Sequence, residues 1–312
     1  MIEAGLLVAR LLHYAAVTSL AGLTFFPLYA CMETEPLALS RWRRKWSFWA
    51  AVAALVSGLF WFAFVVASMG DGIGDLVDPE TLRAIVDATS FGKVWSLRML
   101  VALAVVGMAA SSVRWDAVAD HRAWTMPVLA AVLLASLAGT GHSRVEEGWA
   151  GAIHTVSDGA HLLAAGAWLG GLIPLAAILR RSGAAGLVVE PRQLGQILLQ
   201  FSGMGYIAVA TLIGSGLVNS WFLVGSPAGL LTTSYGQLLL GKLVLFGAMV
   251  VLAGANRFWL VPSMNKARID APDEWSRWSA RLRNHVLGEQ VLGWMVLAVV
   301  SILGTMQPAI GQ

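Results

Sequence analysis

Residues 141–168 read GHSRVEEGWAGAIHTVSDGAHLLAAGAW, and this stretch decides how the whole chain is read. A short charged lead gives way to a long apolar run. Inside that run stand His154, Asp158 and His161, spaced i, i+4 and i+7. On an α-helix those three share one face, and Trp168 continues the stripe. An acid and two imidazoles on one stripe of a membrane helix are costly unless they face a partner, a cavity or an ion.

Working outward, the rest of the chain is of the same apolar kind. It has 312 residues, 57% hydrophobic and 12% charged, with a mean hydropathy of +0.71. That composition excludes an ordinary soluble domain and points to an all-α, polytopic membrane bundle. The lipid bilayer is therefore its first partner. The net charge of +3 belongs to short basic loops, so no nucleic-acid partner is implied. The single cysteine, Cys31, excludes an internal disulfide and a multi-thiolate metal site. Residues 4–30 are expected to be a retained helix rather than a cleaved leader, because Arg10 and His13 interrupt the apolar run.

Eight segments are long enough to span, at about 20 residues each. They lie near 4–30, 47–69, 93–113, 124–141, 152–179, 194–223, 236–260 and 285–306. The loops between them alternate in charge. The first carries Arg41, Arg43, Arg44 and Lys45. The third carries Arg114 and Arg122, the fifth Arg180, Arg181 and Arg192, and the seventh Lys266, Arg268, Arg277, Arg281 and Arg283. The second is acidic, with Asp71, Asp75, Asp78, Glu80 and Asp87. The fourth sets Arg144 against Glu146 and Glu147, and the sixth is uncharged. With positive loops inside, both termini are expected on the extracytoplasmic side of the membrane. A three-helix N-terminal part, residues 1–123, and a five-helix module, residues 124–312, are expected.

This orientation gathers chemistry in the outer half of the membrane. His161 lies about nine residues into the fifth span, roughly 14 Å deep, and His13 lies at a similar depth in the first. His154 sits near the outer mouth, and His142 at the outer end of the fourth span. His142, His154, His161, His13 and Asp158 are the candidate metal ligands. Imidazole with thioether suits copper, and imidazole with carboxylate suits several divalent metals; thioethers such as Met69 and Met306 at the outer helix ends would favour Cu(I). Lys242 either snorkels outward or pairs with Asp158. Asn219, near the outer end of the sixth span, is a further polar residue in an apolar run. Two other readings compete. The histidines serve as hydrogen-bonded glue between helices, or His13 and His161 are axial ligands of haem b in a redox protein. The inner half offers only His285, Glu289 and Asn256. No catalytic nucleophile–base pair is evident, so the chain is not expected to be an enzyme unless the haem reading holds.

The sequence resembles the CopD family of bacterial inner-membrane copper resistance proteins. The resemblance is carried by Gly141-His142, by His161-Leu-Leu-Ala-Ala-Gly-Ala-Trp168-Leu-Gly170-Gly171-Leu, and by Thr233-Ser-Tyr-Gly-Gln-Leu-Leu-Leu-Gly-Lys242. Asn256-Arg257, Pro262 and the early Arg10-Leu-Leu-His13 add to it. It covers most of the chain and is densest from about 130 to 262. The resemblance implies copper uptake or tolerance at the inner membrane, beside a separate periplasmic copper-binding protein of the CopC type. It also supports the motif positions of His13, His142 and His161.

Overall fold

The computed structural model describes residues 2–32, 35–70, 72–114, 124–138, 148–180, 189–270 and 272–311. Among the described residues there are twelve α-helices and no strand. In lipid every backbone N–H and C=O must be satisfied within the chain, and a helix does this within its own segment.

Seven helical stretches are long and apolar enough to cross a membrane: Ile2–Ala30, Leu37–Met69, Ser90–Val113, Gly148–Arg180, Pro191–Val224, Ser234–Arg268 and Glu274–Leu303. The first two are α1 and α2. The third is the body of α4 (Ser90–Arg114). The fourth is α6 (Gly148–Ala165), a π-helical turn (Gly166–Gly170) and α7 (Gly171–Arg180). The fifth is α8. The sixth is α10 (Ser234–Ala255), a second π-turn (Asn256–Leu260) and most of α11 (Val261–Asp270). The last lies within α12 (Pro272–Leu303).

Three differences from the sequence reading have physical causes. The stretch expected at 124–141 contributes α5 (Thr125–Ala135), only 11 residues long. Eleven residues rise roughly 16 Å, about half of a hydrocarbon core. The second connection is not bare loop. Asp78 accepts hydrogen bonds from the Glu80 and Thr81 amides and caps the short α3 (Pro79–Arg83). Helices α2 and α12 begin about ten residues before their apolar runs, because their Arg-rich leads propagate a helix well.

Helix α1 is the hub. It packs on α2, α5, α7, α8, α12 and the Gly166–Gly170 π-turn. Its Val17, Leu20, Ala21 and Phe26 are fully buried. One apolar cluster joins α1 to α2, α4 and α5. A second joins its C-terminal end to α7, α8, α11 and α12. Thus α1, although within residues 1–123, packs against helices of both parts. Leu100, Leu217, Val244 and Val251 face outward, as lipid-facing positions do.

Small residues let α1 and the π-turn meet backbone to backbone. A Cβ on Gly170 would fall 2.7 Å from the Gly22 Cα and 2.8 Å from its nitrogen. Such close crossings are the usual means of helix association in lipid.

Candidate functional site

The α6 stripe does not face lipid. It faces α8, and the two helices match rung by rung. His161 Nδ1 lies 2.9 Å from Ser215 Oγ. Asp158 Oδ1 accepts from Asn219 Nδ2 at 3.3 Å. The His154 ring stacks on Phe222, with centroids 4.7 Å apart and planes 11° from parallel. The partner series 215, 219, 222 runs i, i+4, i+7, so it mirrors 161, 158, 154 on an antiparallel neighbour. Ser157 adds a hydrogen bond to the Ser215 carbonyl at 3.2 Å. From α10, Lys242 lies within Coulombic reach of Asp158 and His161 but closes no ion pair with the acid among the described contacts. Of the two sequence-level alternatives for Lys242, the inward-facing one is closer to what is seen. Tyr235, at the start of α10, also faces Asp158.

Hydrogen-bond bookkeeping assigns the imidazole tautomers. Ser215 Oγ already donates its only hydrogen to the Thr211 carbonyl. His161 Nδ1 must therefore be the donor to Ser215, which leaves Nε2 with a free lone pair. The same argument holds for His13. Its Nδ1 sits 3.0 Å from the Ala54 carbonyl, which only accepts, and 3.1 Å from Ser57 Oγ, whose hydrogen is engaged by the Ala53 and Ala54 carbonyls. His13 Nε2 is then an acceptor, and it is buried with no hydrogen-bond partner. Neutral imidazoles with Nδ1 engaged and Nε2 open have the form that metal ligands take.

The two histidines nevertheless occupy different surroundings. His13 faces α2 and α4, with its ring 5.5 Å from Trp61, and no described contact joins it to His161. Two buried guanidiniums lie beside it. Arg10 donates to Tyr14 Oη at 3.0 Å and to the Gly304 carbonyl at 2.6 Å. Arg98, with no exposed surface, donates to Ser136 Oγ at 3.0 Å and to its carbonyl at 2.7 Å. Both cations lie over Trp61, at 5.5 and 5.2 Å. The Met99 thioether and the His13 ring both line the space where a Gly58 Cβ would stand. Two guanidiniums oppose a cation there. On the α6 face Asp158 is set against Lys242, so that face carries charge of both signs.

The remaining sequence candidates fall as follows. His142 lies outside the described residues. Met69 is exposed at the end of α2, and Met306 packs against the cluster of Val224 and Tyr235. Among the described residues, no three His, Cys, Asp or Glu side chains converge closely enough to hold a metal ion. In the other half, Asn256 meets Glu289. Sequence reasoning missed Arg98, Ser215 and Phe222. The signal for Arg98 was available, as a full charge inside an apolar run.

Fold and site together define a multi-pass helical membrane protein with a partly buried imidazole–carboxylate stripe. Its residues 1–152 match the family described as copper resistance protein D-like, N-terminal domain, and residues 195–303 match copper resistance protein D. The inner membrane protein YebZ of Escherichia coli K12 is 31% identical over 306 residues, 96% of this chain and 97% of that protein. Copper resistance protein D of Pseudomonas syringae pv. tomato is 32% identical, over 96% of this chain and 95% of that one. The copper transport protein CutJ of Bacillus subtilis is 30% identical over 83% of this chain and 47% of its own length. No solved structure matches the chain. The chain belongs to the copper resistance protein D family and is a multi-pass inner-membrane protein.

Proposed function

We propose that this protein binds copper at its periplasmic side and passes it inward for uptake or tolerance. The observation that carries this reading is the α6–α8 ladder, in which His161 keeps Nε2 open beside Asp158. Eight crossings with both termini periplasmic, α5 belonging to the fourth, put that ladder in the outer half. Copper is the cargo. It arrives at His142 and His154 and moves to His161, while Asp158 offsets its charge. Cu(I), a d10 ion, accepts as few as two ligands, so successive pairs on one stripe suffice. His13, whose described partners lie on α2, stands beside this route rather than on it. A periplasmic CopC-type protein delivers the metal. Residues 1–123 brace the bundle and 124–312 carry the ladder. The chain is a conduit and catalyses no reaction.

The names of two relatives, a copper resistance protein and a copper transport protein, support copper as the ion. The haem b reading needs His13 and His161 on one porphyrin, and their described partners come from different helices. The test is metal analysis with an absorbance spectrum on purified protein, beside His161→Ala and His13→Ala. Stoichiometric copper, lost in His161→Ala and kept in His13→Ala, is the expected result. A Soret band lost in both variants would replace copper with haem. Copper fully retained in His161→Ala would remove the basis of the proposal.

A further inference from the structure

A second polar centre lies away from the α6–α8 ladder. Glu289, in the middle of α12, is 2% exposed. Its carboxyl accepts from Asn256 Nδ2, and the Trp168 indole N–H, which can only donate, lies close to it. Both donors are neutral. Among the described residues no Lys or Arg closes an ion pair with it. A carboxylate held only by neutral donors inside a membrane bundle is expensive, and such groups mark ion or proton pathways.

Two backbone features converge on this carboxyl. Trp168 is the central residue of the π-turn Gly166–Gly170, and Asn256 is the first residue of the π-turn Asn256–Leu260. A π-turn fits an extra residue into one turn and so shifts the phase of everything after it. Such turns concentrate at functional sites. Here the first brings Trp168 to α12, whereas His161, earlier in the same span, faces α8. Two independent irregularities in two different spans thus serve one side chain.

Asn256 supplies the decisive detail. It is only 9% exposed, and its Oδ1 has no hydrogen-bond partner. While Nδ2 donates to an ionised Glu289, that oxygen is idle. Once the carboxyl gains a proton, its O–H needs an acceptor. A half-turn of the Asn256 amide presents Oδ1 for that purpose. One side chain therefore satisfies both forms of the acid in turn.

We propose that Glu289, Asn256 and Trp168 form a proton-binding site whose loading is exchanged against copper in the outer ladder. The proton joins a Glu289 carboxylate oxygen and leaves from it, with no electron transferred. The site itself stands on the geometry above; its coupling to copper rests on the function proposed in the preceding subsection. The titratable groups around it are few. On α12, His285 lies one turn earlier on the same face, with Nδ1 buried and unpartnered. On the α10–α11 span, Arg257 adjoins Asn256, and Lys242 is about 21 Å up the helix. On the α6–α7 span, His161 precedes Trp168 by seven residues, or roughly 10 Å. On α1, Tyr29 donates to the Ala167 carbonyl at 2.8 Å.

Infrared difference spectroscopy on the full chain in lipid, stepped in pH, tests the site without copper. The expected result is a carbonyl-stretch band of a protonated carboxylic acid that falls as pH rises. It should be absent from Glu289→Gln and present in Asp158→Asn, which removes the other buried acid. Superimposable spectra for wild type and Glu289→Gln at every pH would overturn the proposal. Should Glu289→Gln fail to fold, Asn256→Leu keeps the carboxyl and removes its amide partner, and the band must shift; an unshifted band would overturn the role of Asn256. Copper flux into proteoliposomes then tests coupling. An imposed pH gradient should change flux several-fold in wild type and leave Glu289→Gln unaffected. Wild-type flux indifferent to the gradient would overturn the coupling. Absence of copper flux altogether would count against the copper reading and leave the infrared result standing.

Discussion

Replacing Gly170 with alanine should loosen the bundle at its centre. The added Cβ falls 2.7 Å from the Gly22 Cα and 2.8 Å from its nitrogen, and it also meets the Thr18 carbonyl. Carbon atoms in contact sit about 3.5–4.0 Å apart. The two segments must therefore part by about 1 Å. The obstructing atoms are backbone, so no rotamer change relieves them, and the cost belongs at the upper end of the ~1–3 kcal/mol range for overpacking. Alanine also favours a helix over glycine by ~1 kcal/mol, which works the other way. Gly107→Ala isolates that second effect, because Gly107 faces open space. The two variants should thus differ by roughly 3 kcal/mol, the overpacking cost being set against a control that shows the propensity gain. Thermal unfolding in detergent, followed by size-exclusion fluorescence, reads the difference. At roughly 2–4 °C per kcal/mol for chains of 150–250 residues, and somewhat less here, several degrees should separate them. Because Gly170 shares the π-turn with Trp168, the variant should also weaken the Trp168–Glu289 contact. A Gly170→Ala protein as stable as Gly107→Ala would refute the claim that α1 and the π-turn meet backbone to backbone.

Other outcomes follow from single contacts. Arg98→Lys should destabilise nearly as much as Arg98→Met, because a lysine cannot reproduce the forked donation to Ser136 Oγ and carbonyl; losing two charge-assisted bonds costs about 3 kcal/mol or more, and a wild-type melting temperature for the lysine variant would contradict it. Asn219→Leu should leave Asp158 without its donor and lower copper affinity while His154 keeps its ring contact with Phe222, as a copper titration would show. At the end of α1, burial first and the Glu35 carboxylate second push the Cys31 thiol up to about 12, against a smaller opposing effect of Arg43. Only the thiolate reacts, so at pH 8 the reactive fraction is on the order of 10⁻⁴. Maleimide labelling should therefore be slow, rise about tenfold per pH unit, and quicken in Glu35→Gln, which removes an anion and frees Arg43 from its 2.8 Å pair; labelling at the rate of a free thiol would argue against it.

Much of the site is legible in the order of residues alone. His154, Asp158 and His161 share a face whatever the helix packs against, because their spacing alone sets that. Their partners are not legible in the same way. Ser215, Asn219 and Phe222 carry the same spacing, but it has meaning only once α8 is known to run antiparallel in that register. Trp168 shows the limit most clearly. By period it continues the His161 stripe, yet the π-turn shifts its phase and it meets Glu289 on α12. His13 and His161 look alike by depth, and only packing puts two guanidiniums beside one and a lysine with a carboxylate near the other.

The sequence by itself determined that this is an all-helical membrane protein, where most of its spans lie, and which α6 residues face inward. Those properties follow from apolar length and from a period of 3.6, which are local and additive along the chain. The tertiary structure alone decided which helix each polar face meets, that α1 serves as the hub, and that two π-turns converge on one acid. Those depend on the register between segments far apart in the chain. In lipid that register is set by small-residue contacts such as Gly22–Gly170 and by polar pairs, and neither leaves a periodic trace in either segment alone.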